Sequence, residues 1–406
     1  MSSLVKRFFV ISLLLCIVIA PTAAQSAPEA THIVVFRDGG MSSRSPLAVE
    51  SFARSYGLTV VASYGHALNG VAVNMPAGRA ARLRADARVR YVEPVYYAST
   101  TQQTIPTGVT RINATSNPAL RINGVDDFRV NVDVAVLDTG VDLTHPDLNV
   151  YAAVRCSRGR CTTRSANDGN GHGTHVAGTI GALDNGIGPV GVAPGARIWS
   201  VGVLGSNGSG STADIIAGID WVTANAGSIE VANMSLGGEF TSQALNDAIT
   251  RSVNAGVVYV VAAGNSAKNA ATFSPANHPD VITVSALADF NGLAGGGAPA
   301  TCRSDVDDTL ADFSNYGSVV EIAAPGVCIY STWKSGGYNT ISGTSMASPH
   351  VAGAAALIAS VSNPNSRTDV MNIRAKLMAD GNYNWVDDSP DGIKEPLLDV
   401  TGYDAR

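Results

Sequence analysis

Five apolar runs constrain this chain more than anything else in it: "VDVAVLD", "RIWSVGVL", "EVANMS", "GVVYVVAAG" and "DVITVSAL". Each is short, continuous rather than alternating, and ended by small or polar residues. A strand with one wet face alternates, so an unbroken apolar run needs cover on both faces. Helix-like segments lie between the runs, among them "STADIIAGIDWVTANA" and "TSQALNDAITRSVNAG". Strands alternating with helices predict an α/β domain, a doubly wound and mostly parallel sheet. Ligands of such sheets collect beyond the carboxyl ends of the strands, where Asp138, Ser235 and Asn265 fall. With 406 residues, the chain has room for this domain and a smaller one.

The smaller one comes first. "THIVVFRDGG" reads as a strand and turn, "SPLAVESFARSYG" as a helix stopped by Gly57, and "GVAVNMP" as a strand. "GRAARLRADARVRYVEPVY" reads as a helix and then a strand. This β-α-β-β-α-β rhythm predicts a small ferredoxin-like α+β unit over about residues 30–98, followed by the polar linker "ASTTQQT". Ahead of it, Lys6 and Arg7 precede "FFVISLLLCIVIA" and then the small residues of "PTAAQSA". That is the layout of an export signal, with removal after Ala24 or Ala27. The apolar core is short for a membrane span, and Leu15 before Cys16 opposes lipid attachment. The expectation is a secreted protein with no membrane attachment once the signal is gone.

Export gives the cysteines a meaning. Cys16 leaves with the signal, and four remain. An even count in an oxidising compartment favours disulfides. Three connectivities are open; the short closure in "CSRGRC" favours Cys156–Cys161, leaving Cys302–Cys328. Neither pair has the close CxxC spacing of a zinc site. A net charge of −6, with no basic run interleaved with aromatics, gives no support for a nucleic-acid partner. Residues 28–101 carry 8 basic and 5 acidic side chains, and residues 102–406 carry 17 and 28. Opposite signs favour docking of the two parts, a modest bias after screening.

"SGTSMASPHVAGAAAL" is an alanine-rich helix that carries a proline. Pro349 is tolerated near a helix start, where its missing N–H costs nothing, so it is expected in the first turn. Ser345 then sits at the helix N-terminus, after the tight turn that Gly343 permits. Such a serine is an ordinary N-cap or a nucleophile shown at the rim of a sheet. "VAVLDTGVDLTHPDL" ends an apolar strand on Asp138, and a buried carboxylate is costly unless something holds it. "NGHGTHVAGTIGAL" puts His172 at the start of a small-residue helix. Acyl transfer needs this set: a hydroxyl nucleophile, a base near neutrality and a carboxylate to orient it. The chain order Asp, His, Ser is that of subtilisin.

"DTGVDLTHPDL", "GHGTHVAGT", "NMSLGG", "AAGN" and "SGTSMASPHVAG" follow one another from residue 138 to 353. In that order they resemble the motif set of the subtilisin-like serine proteases, in their proteinase K-like flavour. The similarity extends from about Gln102 to Tyr403, and the preceding segment resembles the family's inhibitory propeptide. The resemblance implies a secreted serine endopeptidase that processes itself: signal 1–27, propeptide 28–101, peptidase domain 102–406, with cleavage near Thr101 and Gln102. It implies Asp138 as orienter, His172 as base and then acid, and Ser345 as nucleophile. The Asn265 amide and the Ser345 backbone N–H would bind the oxyanion. Asn207, Gly208, Ser209 and Gly210 on one side, and Ser235, Leu236 and Gly237 on the other, would flank a peptide bound as an added strand. Ala262, Ala263 and Gly264 would line an apolar or aromatic specificity pocket with its far wall near "ATFSPAN". Gln103, Asp147, Leu183, Asn185, Ile187 and Pro189 correspond to ligands of a structural Ca2+, a cation suited to oxygen donors on an irregular loop. The bland alternative is a glycine-rich loop without metal. The implied partners are peptide substrates and the chain's own propeptide, for a monomer.

Other chemistries fit less well. His172 and His175 lack the spacing and glutamate of a zinc HExxH pair; His175 and His350 are expected as packed helix residues, and Asp142 as a turn residue. "GTSMA" ends in Ala347 where a GxSxG elbow needs glycine, and here the histidine precedes the serine. A silent relative that binds peptides without cutting them is the alternative, but all four catalytic positions are present. "WVDDSPDGIKEPLLDVTGY" is expected to add a turn and an edge strand to the main domain.

Overall fold

The computed structural model describes residues 31–76, 78–95, 103–164 and 166–406. The expected export signal over residues 1–27 and the expected cleavage junction at residues 101–102 lie outside them. The chain divides into two compact units, Met1–Thr100 and Thr101–Arg406.

The first unit holds an antiparallel sheet in the order Thr59–Tyr64, Gly70–Asn74, His32–Phe36, Val89–Pro94. This is the split βαβ order. Helix Pro46–Tyr56 starts where Ser45 accepts from the Ala48 N–H, and it stops at Gly57, which turns left-handed at φ 64°. Its inner face buries Val49 and Phe52, and Phe52 meets Phe36 edge to face at 5.1 Å.

In the second unit the strand order is Thr309–Leu310, Ile282–Ala288, Val258–Ala262, Val231–Met234, Asp133–Asp138, Arg197–Gly202, Val150–Ser157, Arg160–Thr162. Strand Ile322–Pro325 also pairs with Ile282–Ala288, in parallel. All six residues of Asp133–Asp138 are buried, as are all of Val258–Ala262 and Ile282–Ala288. Continuous apolar runs thus became strands covered on both faces. Helices His172–Gly181 and Thr344–Ser362 pack together, as do Thr212–Ala224 and Gln243–Asn254. The outer hairpin pairs Cys156 with Cys161 across its strands, and the two are bonded, as are Cys302 and Cys328.

Two local expectations need correction. Pro349 lies in the second turn of helix Thr344–Ser362, not the first. Its missing N–H would have bonded the carbonyl four residues back, that of Ser345. The Ser235 hydroxyl donates to that carbonyl instead, at 2.8 Å, so the proline leaves no acceptor stranded. The tail forms no edge strand. Val386 bridges Thr309, and Leu397 bridges Ala323 and Asn382, as isolated contacts. Pro390, Gly392 and Pro396 break up any longer ladder, while Trp385 and Leu397 close a small cluster with Leu287, Leu310 and Ala323.

Leu137 is fully buried, one residue before the end of the central strand. Leu137→Ala is expected to cost about 2–5 kcal/mol, read as a lower urea midpoint with an unchanged slope.

Candidate active site

Asp138 ends the central strand with no exposure at all. Its Oδ1 accepts from the Thr139 N–H at 2.7 Å and from His172 Nδ1, also at 2.7 Å. An acceptor on Nδ1 requires the proton there, so Nε2 carries the lone pair. His172 opens helix His172–Gly181. The helix approaches the strand this closely because residue 173 is glycine: a Cβ there would stand 2.1 Å from the Gly140 carbonyl and 3.0 Å from the Asp138 Cβ. Burial works against the charged imidazole, but the Asp138 charge and hydrogen bond outweigh it, with Asp168 adding to them. The His172 pKa ends above its ordinary value.

Ser345 is the second residue of its helix. Its hydroxyl donates to the Ser235 carbonyl at 3.2 Å rather than to the imidazole. The backbone behind it is fixed by a buried relay: Ser348 Oγ to Asn233 Oδ1 at 2.7 Å, Asn233 Nδ2 to Ser235 Oγ at 2.9 Å, and Ser235 Oγ to the Ser345 carbonyl. Asn265 follows the strand Val258–Ala262 by three residues. Its Oδ1 accepts from the Thr344 N–H at 2.9 Å and the Thr344 hydroxyl at 2.8 Å. Two donors on Oδ1 settle which end of the amide is nitrogen, leaving Nδ2 for the cleft.

His172, Ser345 and Asn265 all line one cleft of about 680 Å³. Gly208, Ser209 and Gly210 form part of one wall, and Ser235, Leu236 and Gly237 part of another. Ala262, Ala263 and Gly264 line it too, together with Phe273, Ser274 and Ala276 from the "ATFSPAN" stretch. Asn207 is not among the lining residues; it is exposed, its Oδ1 accepting from the Ser209 N–H at 3.1 Å. Leu204 and Ile215 add apolar wall that the sequence did not point to; their only signal was apolarity, shared with the core. Thr344 and Asp168 were missed too: Thr344 bonds Asn265 across the fold, and Asp168 bonds the start of helix His172–Gly181 from three residues ahead of its N-cap, and Thr139 from a distance.

His175 and His350 are neutral packing groups. His175 Nε2 donates to the Ile329 carbonyl, and burial pushes its pKa down to about 3. His350 Nδ1 donates to the Met346 carbonyl, and burial takes its pKa to about 4. Asp142 accepts from the Thr144 and Gly336 amides, tying a turn.

Asp147 is completely buried. Its Oδ1 accepts from Asn185 Nδ2 at 3.0 Å, while Oδ2 has no partner. Burial pushes its pKa up to about 8. The Leu183 N–H donates to the Asp147 carbonyl, and the Ile187 N–H to Asn185 Oδ1. Gln103 joins the loop through Gly186 and Asp184, and Thr104 pairs with Pro189. Among the described residues no three His, Cys, Asp or Glu side chains gather as a metal site. A cation here would have one carboxylate and otherwise neutral oxygens, a donor set that fits calcium and not zinc.

Family models match the chain twice: the subtilase family over residues 130–389, and the peptidase inhibitor I9 family over residues 31–97. Subtilisin NAT of Bacillus subtilis subsp. natto is 39% identical over 344 residues, 84% of this chain and 83% of that protein. An alkaline protease of Shouchella clausii is 41% identical over 276 residues, 68% of this chain and 65% of its own length. Among solved structures, a cold adapted subtilisin-like serine proteinase matches at 37% identity with a TM-score of 0.55, covering 68% of this chain and 90% of that one. The chain belongs to the subtilase family. It is a serine endopeptidase processed from a pro-form, with an I9-type inhibitor domain ahead of the peptidase domain. Nothing in these likenesses supports a silent peptide-binding protein.

A neutral imidazole is needed to accept a proton, so kcat/KM is expected to rise with pH through an inflection above about 6.5, the ordinary histidine value. The same raised pKa makes the imidazolium pair's stability contribution complete at low pH and lost as pH climbs through that inflection. A pH–rate profile on a neutral peptide substrate checks the first; an inflection at or below 6.5 would contradict it.

Proposed function

We propose that Ser345 is the nucleophile, His172 the general base and acid, Asp138 its orienting partner, and Asn265 a donor to the oxyanion. The 2.7 Å bond between His172 and Asp138, at a cleft that also presents Ser345, carries this reading most directly. The Ser345 hydroxyl leaves the Ser235 carbonyl, passes its proton to His172 Nε2, and its oxygen bonds the substrate carbonyl carbon. The resulting oxyanion accepts from Asn265 Nδ2 and the Ser345 N–H, one of the helix's unpaired first-turn donors. As the tetrahedral adduct collapses, His172 protonates the departing amine and an ester to Ser345 remains. Water then repeats the sequence with His172 as base, releasing the acid and restoring the hydroxyl.

Substrate lies extended between the segments around Gly208–Gly210 and Ser235–Gly237, and the pocket beyond takes an apolar or aromatic side chain. Ala262, Phe273 and Ala276 line it, and an apolar lining rewards apolar surface. Residues 1–27 act as the export signal and 28–101 as the removable inhibitor, with cutting near Thr101 and Gln102. The product is an extracellular monomer. Among the described residues no helix is long and apolar enough to cross a membrane. Ser345→Ala is expected to stay joined to its pro-segment and to take no fluorophosphonate label. Label absent from the unaltered protein would point to the silent alternative.

Calcium belongs at the 183–189 loop with Asp147, Gln103 and Asn185, where it would satisfy the stranded Asp147 oxygen. Bound there it supplies stability and no chemistry. At a free concentration near a hundred times its Kd, the gain is about 2.7 kcal/mol. Chelator is therefore expected to lower the Tm of the inhibited protein, and Asp147→Asn to abolish that response; a Tm indifferent to chelator removes the site.

A further inference from the structure

Asp168 belongs to none of the motifs, yet its carboxylate is among the most heavily bonded in the molecule. It is 5% exposed and has five donors against it. Oδ1 accepts from the Thr139 hydroxyl at 2.9 Å, the Asn170 N–H at 2.9 Å and the Gly171 N–H at 3.0 Å. Oδ2 accepts from the Thr174 N–H at 3.1 Å and the Thr174 hydroxyl at 2.6 Å. Two of those amides, Gly171 and Thr174, bracket His172.

Helix His172–Gly181 has no side-chain cap of its own, because its N-cap residue is Gly171. A capping side chain is excluded there: φ is +116°, and a Cβ would come within 2.3 Å of the Trp333 ring. The capping role, ordinarily filled at that position, passes to Asp168 three residues upstream. The same carboxylate reaches the other half of the pair. Thr139 accepts the Gly173 N–H on its hydroxyl at 3.0 Å and gives its backbone N–H to Asp138 Oδ1. One side chain thus connects both ends of the Asp138–His172 bond.

We propose that Asp168 is a positioning residue for proton transfer: it caps the His172 helix from outside and, through the Thr139 hydroxyl, holds that helix in register with Asp138. The proposal rests on the assignment of His172 as the base. A reacting group displaced by 1 Å can lose about 10²-fold in rate, so this anchoring bears on kcat more than on substrate affinity. Charge acts in the same direction. Asp138 faces the imidazole from its strand and Asp168 from the preceding loop, and both favour imidazolium. The other titratable groups on the surrounding elements are His175 on the same helix, which burial keeps neutral, Lys334, whose Nζ donates to the Gly169 carbonyl at 3.0 Å, and Arg155. The Arg155 guanidinium donates to the Thr139 carbonyl at 2.6 Å; burial pulls its pKa down, and the Asp168 charge partly offsets that. Trp333 from the neighbouring strand is neutral.

The test is Asp168→Asn, with rates expressed per Ser345 site titrated by a fluorophosphonate. The expected result is a kcat lower by about tenfold, a KM within about twofold, and an acid-limb inflection moved down by about half a pH unit. An acid limb that stays put, or a rise in KM alone, overturns the proposal. A second pair decides if Asp168→Asn yields no titratable enzyme. Thr139→Val removes the hydroxyl and should lower kcat by a similar factor, whereas Thr139→Ser should restore it; equal kcat in the two overturns the proposal. If the unaltered protein takes no label at Ser345, it is the catalytic assignment that fails, and the two failures stay distinct.

Discussion

A carboxylate wholly out of water at the end of the central strand is the feature on which the rest depends. Asp138 is unexposed, and its Oδ1 is held by one backbone amide and one imidazole while Oδ2 has no hydrogen-bond partner. Burying a charge costs several kcal/mol unless it is paired, so the fold must deliver the imidazole reliably. It does so by bringing helix His172–Gly181 against the strand end with nothing larger than hydrogen at residue 173. Taking the imidazole away would leave the carboxylate both buried and unpaired. The cost of burial is thereby converted into geometric certainty for His172.

The serine side is held by a different device. Pro349 removes one helical donor in the second turn, and the carbonyl it deserts, that of Ser345, is taken by Ser235. Ser235 is itself steadied by Asn233, whose other amide end accepts from Ser348. A defect in one helix is thus repaired by the adjacent strand, and the repair ties the backbone of Ser345 to one wall of the cleft. The Ser345 hydroxyl rests meanwhile on the Ser235 carbonyl, and apo sites commonly tighten only when substrate arrives.

The sheet was legible because its central strands are apolar on both faces, which few other arrangements permit. The motifs around Asp138, His172 and Ser345 were legible because small residues cluster wherever backbone must approach backbone. What escaped has a common cause. Strand Val150–Ser157 carries Arg155 and mixed burial, and the hairpin Ile329–Trp333 with Gly337–Ile341 interrupts its apolar residues with Ser331, Thr332, Asn339 and Thr340, so neither stands out as a run. Thr344 and Asp168 look like ordinary polar residues until the chain folds, because each acts on a partner fixed by tertiary structure. Pro349 was misplaced by one turn because the acceptor it freed found a donor 110 residues away in sequence, which no local rule anticipates.

Part of the cleft wall shares its hydrogen bonds with the machinery at the centre, as Ser235 does, and part does not. Ile215, Phe273 and Ala276 shape the space available to a bound chain, and none of their backbone hydrogen bonds reaches Asp138, His172, Ser345 or Asn265; Leu204 differs, because its N–H donates to the Asp138 carbonyl. Substitution at Ile215, Phe273 or Ala276 can therefore change what enters this groove while leaving the bonds that hold its reacting groups in place. A lineage can diversify its diet at the walls while its chemistry stays constant.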